Sequence, residues 1–191
     1  MIEFMQMEDE PDLQVSVFKL DIDKVVEKLE AAWVLTNVAS GTTAQTQVVM
    51  DKGAIPWFAK ILRSNISDLR EQAIWALGNI SGDSAVNRNI ALKHGALQPL
   101  LKIVDDPNAQ VNTIKQGTWA ISNLCRGRPI PRPEYVKAAI STLFNVLQSQ
   151  TDPETLTDAA WALSYLSGYD DTLDLVMSCA NALPAMVSLL S

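Results

Sequence analysis

Four of the five tryptophans stand in one recurring phrase. The stretches are Glu30-Ala-Ala-Trp33-Val-Leu-Thr-Asn37, Gln72-Ala-Ile-Trp75-Ala-Leu-Gly-Asn79, Gly117-Thr-Trp119-Ala-Ile-Ser-Asn123 and Asp158-Ala-Ala-Trp161-Ala-Leu-Ser-Tyr165. The tryptophans are 42, 44 and 42 residues apart. A second phrase falls between them: Gly53-Ala-Ile-Pro56, Gly95-Ala-Leu-Gln-Pro99 and the looser Ala180-Asn-Ala-Leu-Pro184, each opening an apolar run. Agreement in period, phase and punctuation means a chain of stacked units whose core is built between neighbours.

Each unit reads as helices. Glu71 to Ser81 has good helix formers, with Ala73, Ile74, Leu77 and Ile80 on one helical face. Gly82, Gly127 and Gly168 fall where such helices would end, at the position that favours left-handed backbone. Ala54 to Arg63 gives a second helix that tolerates Pro56 in its first turn, and Ser84 to Lys93 a short first one. No run alternates with period two, so strands are not expected. A three-helix unit of this length fits an all-α solenoid of the armadillo/HEAT class, with about four repeats.

Composition narrows the chemistry. With 15 Lys+Arg against 22 Asp+Glu the net charge is −7. Nucleic acid demands a clustered basic face, so an acidic chain points instead to a basic partner. The single histidine, His94, excludes metal sites needing two imidazoles and weakens Ser-His or Cys-His catalysis; it reads as a helix-end residue. Cys125 and Cys179 are too few for a disulfide framework and read as buried, reduced thiols. No phosphate loop, nucleotide fingerprint or nucleophile elbow is present, so no enzyme and no cofactor or metal is expected. The uncharged stretch 31–50 carries too many Asn, Gln, Ser and Thr residues for a membrane helix, the acidic start is no signal peptide, and a soluble protein is expected. The Arg/Pro-rich stretch 126–133 and Asp105-Asp106-Pro107-Asn108 read as connectors.

Trp and Asn four residues apart share a helix face. Stacked units would then set Trp33/Asn37, Trp75/Asn79 and Trp119/Asn123 in two columns. The indoles could simply be inter-repeat core. They could equally form slots for long aliphatic stems ending in cations, worth about 0.5–2 kcal/mol each, with asparagine amides clamping an extended peptide backbone. A buried asparagine column is costly unless satisfied, which favours the second reading.

The stretches 30–46, 70–84, 117–129 and 157–168 resemble importin alpha, the armadillo adaptor that recognises basic nuclear localisation signals. The resemblance covers nearly all of 29–191. It implies a right-handed superhelix, a groove for Lys/Arg-rich cargo segments, a role in protein import into the nucleus, and residence in cytoplasm and nucleus. By resemblance, Trp33, Asn37, Trp75, Asn79, Trp119 and Asn123 form the ladder. Gly41, Thr46 and Asp83 match the pocket for the key lysine, while Ser40 and Gln72 match accessory positions. Glu154, Asp158 and Trp161 match the far end of the site; Tyr165 replaces the fourth Asn, and Gln116 stands where many members have Asn. Importin beta is the family's further partner, but its binding segment is expected to be absent, the chain resembling a family member truncated at both ends. Residues 1–14 align with the second helix of a preceding repeat, 15–28 read as an insertion, and 29–191 as repeats with the last incomplete. The alternative is an armadillo scaffold of catenin type binding another extended peptide, in a groove that would be basic rather than acidic.

Overall fold

The computed structural model describes residues 22–168 and 170–178, together with 184, 186 and 187. A long helix, α1 (Ile22–Ala39), opens it. Three short–middle–long units follow: α2 (Thr43–Asp51), α3 (Ala54–Ile61) and α4 (Ser67–Asp83); α5 (Ala85–Lys93), α6 (Leu97–Val104) and α7 (Val111–Cys125); α8 (Pro133–Val136), α9 (Ala139–Ser149) and α10 (Pro153–Ser167). The helix α11 (Asp170–Ser178) comes next.

Local chemistry sets these boundaries. Thr42 caps α2 in a reciprocal box with Gln45, each satisfying the other's backbone N–H. Ser84 accepts from the Asn87 N–H at the start of α5, and Asp152 accepts from the Thr155 N–H at the start of α10. The recurring glycine phrase is a hinge between short and middle helices. Gly53 (φ 75°) and Gly95 (φ 74°) take left-handed backbone, which a residue with a Cβ adopts at a cost. The alanines that follow, Ala54 and Ala96, are buried, and Pro56 and Pro99 each sit third in the helix, where no intrahelical donor is lost.

The long helices stack side by side, α4 between α1 and α7, and α7 between α4 and α10. Middle helices α3, α6 and α9 pack behind them on α4, α7 and α10. The core is continuous from repeat to repeat: Phe58, Ile74, Leu77, Leu100, Ile121, Leu124, Leu143 and Leu163 are all fully buried. Each such side chain contributes about 1.5–3 kcal/mol of transfer free energy.

The structure corrects the sequence at the glycines. Gly127 (φ 94°) does terminate α7 in left-handed backbone, but Gly82 lies inside α4, which runs on to Asp83, and Gly168 caps α10 with φ −76°. Gly82 is small for packing. A Cβ there would lie 3.3 Å from the Asn123 amide of α7. The connector readings agree with the structure: His94 is the C-terminal cap of α5, and Asp106 accepts from the Asn108 N–H in a turn between α6 and α7. Residues 22–28 continue the Trp33 helix with no break at 28/29, so half of the stretch read as an insertion is helix. The second-helix remnant 1–14, the rest of 15–28 up to 21, and Cys179 lie outside the described residues. Among the described residues, no helix is long and apolar enough to cross a membrane.

Candidate functional site

The tryptophans mark one row across the long helices. Trp75, Trp119 and Trp161 each stand eight residues beyond the first residue of α4, α7 and α10 (75 − 67, 119 − 111, 161 − 153). Trp33, Trp75 and Trp161 are 53 %, 49 % and 55 % exposed, so these indoles are withheld from the core although burial would stabilise them. Trp119 is half-buried and lies against Gly78, where a Cβ would come within 2.1 Å of its six-membered ring. Gly78 therefore lets the third indole sink between the repeats.

The asparagines divide in the same way. Asn37 is exposed. Asn79 is half-buried, with a shielded Nδ2 that donates to no partner. Asn123 is buried; its Nδ2 donates to the Gly78 carbonyl at 3.1 Å, and its Oδ1 accepts from Arg126 Nη1 at 3.3 Å. The uniform column expected from spacing is thus one open rung, one unsatisfied rung and one rung used to join repeats.

One turn before each tryptophan stands an acceptor: Glu30, Gln72, Gln116 and Asp158. The Oε1 atoms of Gln72 and Gln116 are shielded from water and accept from no donor. Burial pushes the half-buried Asp158 carboxyl above the usual range, and the neighbouring Glu154 charge adds to this. Desolvated acceptors without donors are costly unless a ligand supplies the N–H. Gln72 and Trp33 are brought together with Leu29, Glu30, Asp68 and Glu71 around a hollow of about 350 Å³ between α1 and α4. Its three carboxylates favour a cation.

Two of the three residues matched to a lysine pocket, Gly41 and Asp83, sit at the C-terminal ends of neighbouring long helices, and Thr46 lies in the first half of α2. Gly41 follows α1, and Asp83 ends α4. The negative end of a helix dipole and a carboxylate both favour positive charge there. Asp83 Oδ2 accepts from Nδ2 of the buried Asn87 at 3.0 Å, which fixes the carboxylate and leaves Oδ1 open. Thr46 is buried on α2; its hydroxyl donates to the carbonyls of Ala39 (3.1 Å) and Thr42 (3.3 Å), so only its lone pairs can serve a ligand. Ser40 donates to the Asn37 carbonyl at 2.8 Å.

At the other end Glu154, Asp158, Trp161 and Tyr165 follow one another at spacings of four, three and four on α10, and therefore share a face. Trp161 and Tyr165 stack with ring centres 5.8 Å apart. Lys115 reaches across from α7 to Glu154 at 2.7 Å and Asp152 at 3.7 Å. The hydrogen bond to Glu154 holds the Lys115 ammonium above its ordinary range, while the Thr155 N–H holds the Asp152 carboxyl below its own. Sequence reasoning missed Lys115, Asn87 and Gly78. Lys115 lies four residues before Trp119, and that i, i+4 spacing was the available signal.

Residues 42–82 match the armadillo/beta-catenin-like repeat family. Importin subunit alpha-1b of rice (Oryza sativa subsp. japonica) is 46 % identical over 190 residues, 99 % of this chain and 32 % of the rice protein. Importin subunit alpha-2 of Arabidopsis thaliana is 44 % identical over the same shares. A designed armadillo repeat protein, solved in complex with the peptide (KR)4, superposes with a TM-score of 0.75 at 26 % identity, covering all of this chain and 90 % of that one. The chain spans about a third of the length of the curated relatives it matches. Its helical repeats, its tryptophan row and its identity to plant importin alpha subunits along nearly its whole length agree: the chain is an armadillo-repeat solenoid similar to the matching third of importin alpha.

Proposed function

We propose that the chain binds Lys/Arg-rich nuclear localisation signals along the Trp/Asn face of α1, α4, α7 and α10, as an adaptor for protein import in cytoplasm and nucleus. The observation that carries this reading is the acceptor column beside the exposed indoles. Gln72 and Gln116 keep oxygens away from water with no donor, and Glu30 and Asp158 place carboxylates in the same register. An extended basic peptide supplies what this face lacks: backbone and side-chain N–H groups, aliphatic stems for the indole faces, and positive charge. The designed armadillo protein of similar structure was solved with an alternating Lys/Arg peptide, which supports the same class of ligand. In this reading Asp83 and the helix-end carbonyls around Gly41 take the key lysine, with Thr46 as an acceptor. Trp161, Tyr165, Glu154 and Asp158 take the far end of the peptide.

The test is a calorimetric titration with a (KR)4 peptide and with an acidic peptide of equal length. The native chain binds the basic peptide, and affinity falls as salt rises because the exposed charges are screened beyond ~10 Å at 0.1 M. Asp83→Lys reverses one charge in the pocket and weakens binding about tenfold, equivalent to ~1.4 kcal/mol. Undiminished binding in Asp83→Lys would remove the lysine-pocket assignment. Preference for the acidic peptide would instead favour a scaffold of catenin type.

A further inference from the structure

The junction of α7 and α10 carries a cation of its own inside the acidic end of the groove. Lys115 Nζ lies 2.7 Å from Glu154 Oε2 and 3.7 Å from Asp152 Oδ2. Asp152 is already committed, because its Oδ2 accepts from both the backbone N–H and the hydroxyl of Thr155 at the start of α10. Glu154 is different: its side chain is 76 % exposed, and it stands one turn before Asp158 on the face that ends in the Trp161–Tyr165 stack. The Lys115 stem rises from α7 one turn before Trp119 and next to Gln116, on the side of α7 that meets α10.

Resting on the peptide-binding reading above, we infer that Lys115 is a specificity-determining residue, an internal competitor that holds Glu154 against an incoming cargo cation. A basic side chain arriving at the Trp161 end has to share Glu154 with an ammonium already in contact with it. That end consequently contributes little to affinity for a basic residue and tolerates a neutral one. Discrimination is concentrated at the Trp33–Asp83 end, where the acidic positions Glu30, Asp68 and Glu71 surround the hollow. Exposed pairs such as Lys115–Glu154 carry only modest energy, so the device tunes the far end without closing it.

Lys115→Met keeps the stem and removes the charge. Titrated with (KR)4 at low ionic strength, it binds about three- to fivefold more tightly than the native chain, and the gain fades at high salt. Lys93→Met makes the same change in net charge on α5 and alters affinity by less than about 1.5-fold, separating a local competitor from a whole-molecule field. Glu154→Gln weakens binding less than about twofold in the native background and about three- to fivefold in Lys115→Met, because only there is Glu154 free to meet the peptide. Equal affinity of the native chain and Lys115→Met, or weaker binding in Lys115→Met, overturns the inference and leaves the peptide-binding function standing. Absence of binding in both overturns the two together. Binding by Lys115→Met alone supports the competitor and removes the function from the native chain.

Discussion

Asn37, Asn79 and Asn123 occupy one position in three successive long helices, yet only Asn123 is tied into the fold. Its Nδ2 bridges to the Gly78 carbonyl of the preceding long helix and its Oδ1 receives Arg126, whereas Asn37 faces solvent. A net buried hydrogen bond contributes about 1 kcal/mol, and an abandoned partner adds to the loss. Asn123→Ala should therefore destabilise by about 1–2 kcal/mol and lower the melting temperature by roughly 3–6 °C in a chain of this size. Asn37→Ala should leave melting within about 1 °C, as for an exposed polar side chain, and weaken (KR)4 binding severalfold. Thermal melts and titrations of the two variants check this; equal melting temperatures would return Asn123 to the same role as Asn37. The Trp-x-x-x-Asn spacing was legible because it lies within one helix. The fate of each amide was not, since it depends on whether position 78 of the neighbouring helix is glycine, a contact 45 residues away.

At the scale of elements, the recurring glycine phrases and apolar runs placed most helices within a few residues, because caps and breakers act locally. Helix α4 outruns the end that Gly82 suggests, because the missing side chain there serves the approach of α7 rather than a turn. The connector between α7 and α8 poses the opposite case. Its exposed residues Arg126, Arg128 and Arg132 and its prolines suggest a loose loop, but the fully buried Arg88 of α5 donates from Nη1 to the Arg126 carbonyl and from Nη2 to the Pro129 carbonyl. A guanidinium supplies this fork of donors, and no other side chain does. Arg88→Met should leave both carbonyls without their partner and cost about 2–4 kcal/mol. It should also release the connector to proteolysis. Arg128 and Arg132 precede prolines and resist trypsin, so limited digestion of Arg88→Met should add a cut between Arg126 and Gly127 that the native chain lacks. Identical digestion patterns would mean that the prolines alone hold the connector.

Among the described residues each long helix packs on the long helices beside it, so the stability of the stack is a sum of repeat terms and interface terms and can be divided at one interface. The α4–α7 interface is the place to divide it. Gly78 receives the Trp119 ring, and its carbonyl receives Asn123, so one backbone position supports both members of the third rung. A Cβ at Gly78 would lie 2.1, 2.7 and 2.7 Å from three atoms of the indole, a rigid group that can yield only by moving as a whole. Gly78→Ala would regain about 1 kcal/mol of helix propensity against this clash, but Gly78→Val adds further bulk and a poorer helix former, leaving overpacking of about 1–3 kcal/mol to dominate. Because the damage falls on one interface, the two halves of the stack should part company. Native hydrogen exchange should give α4 and α7 similar protection; in Gly78→Val the amides of α1–α4 and of α7–α10 should exchange at different rates, with the Trp119 fluorescence shifted to the red. Uniform acceleration from α1 to α10 would show instead that the repeats unfold as one unit and that the loss at Gly78 is shared by every interface.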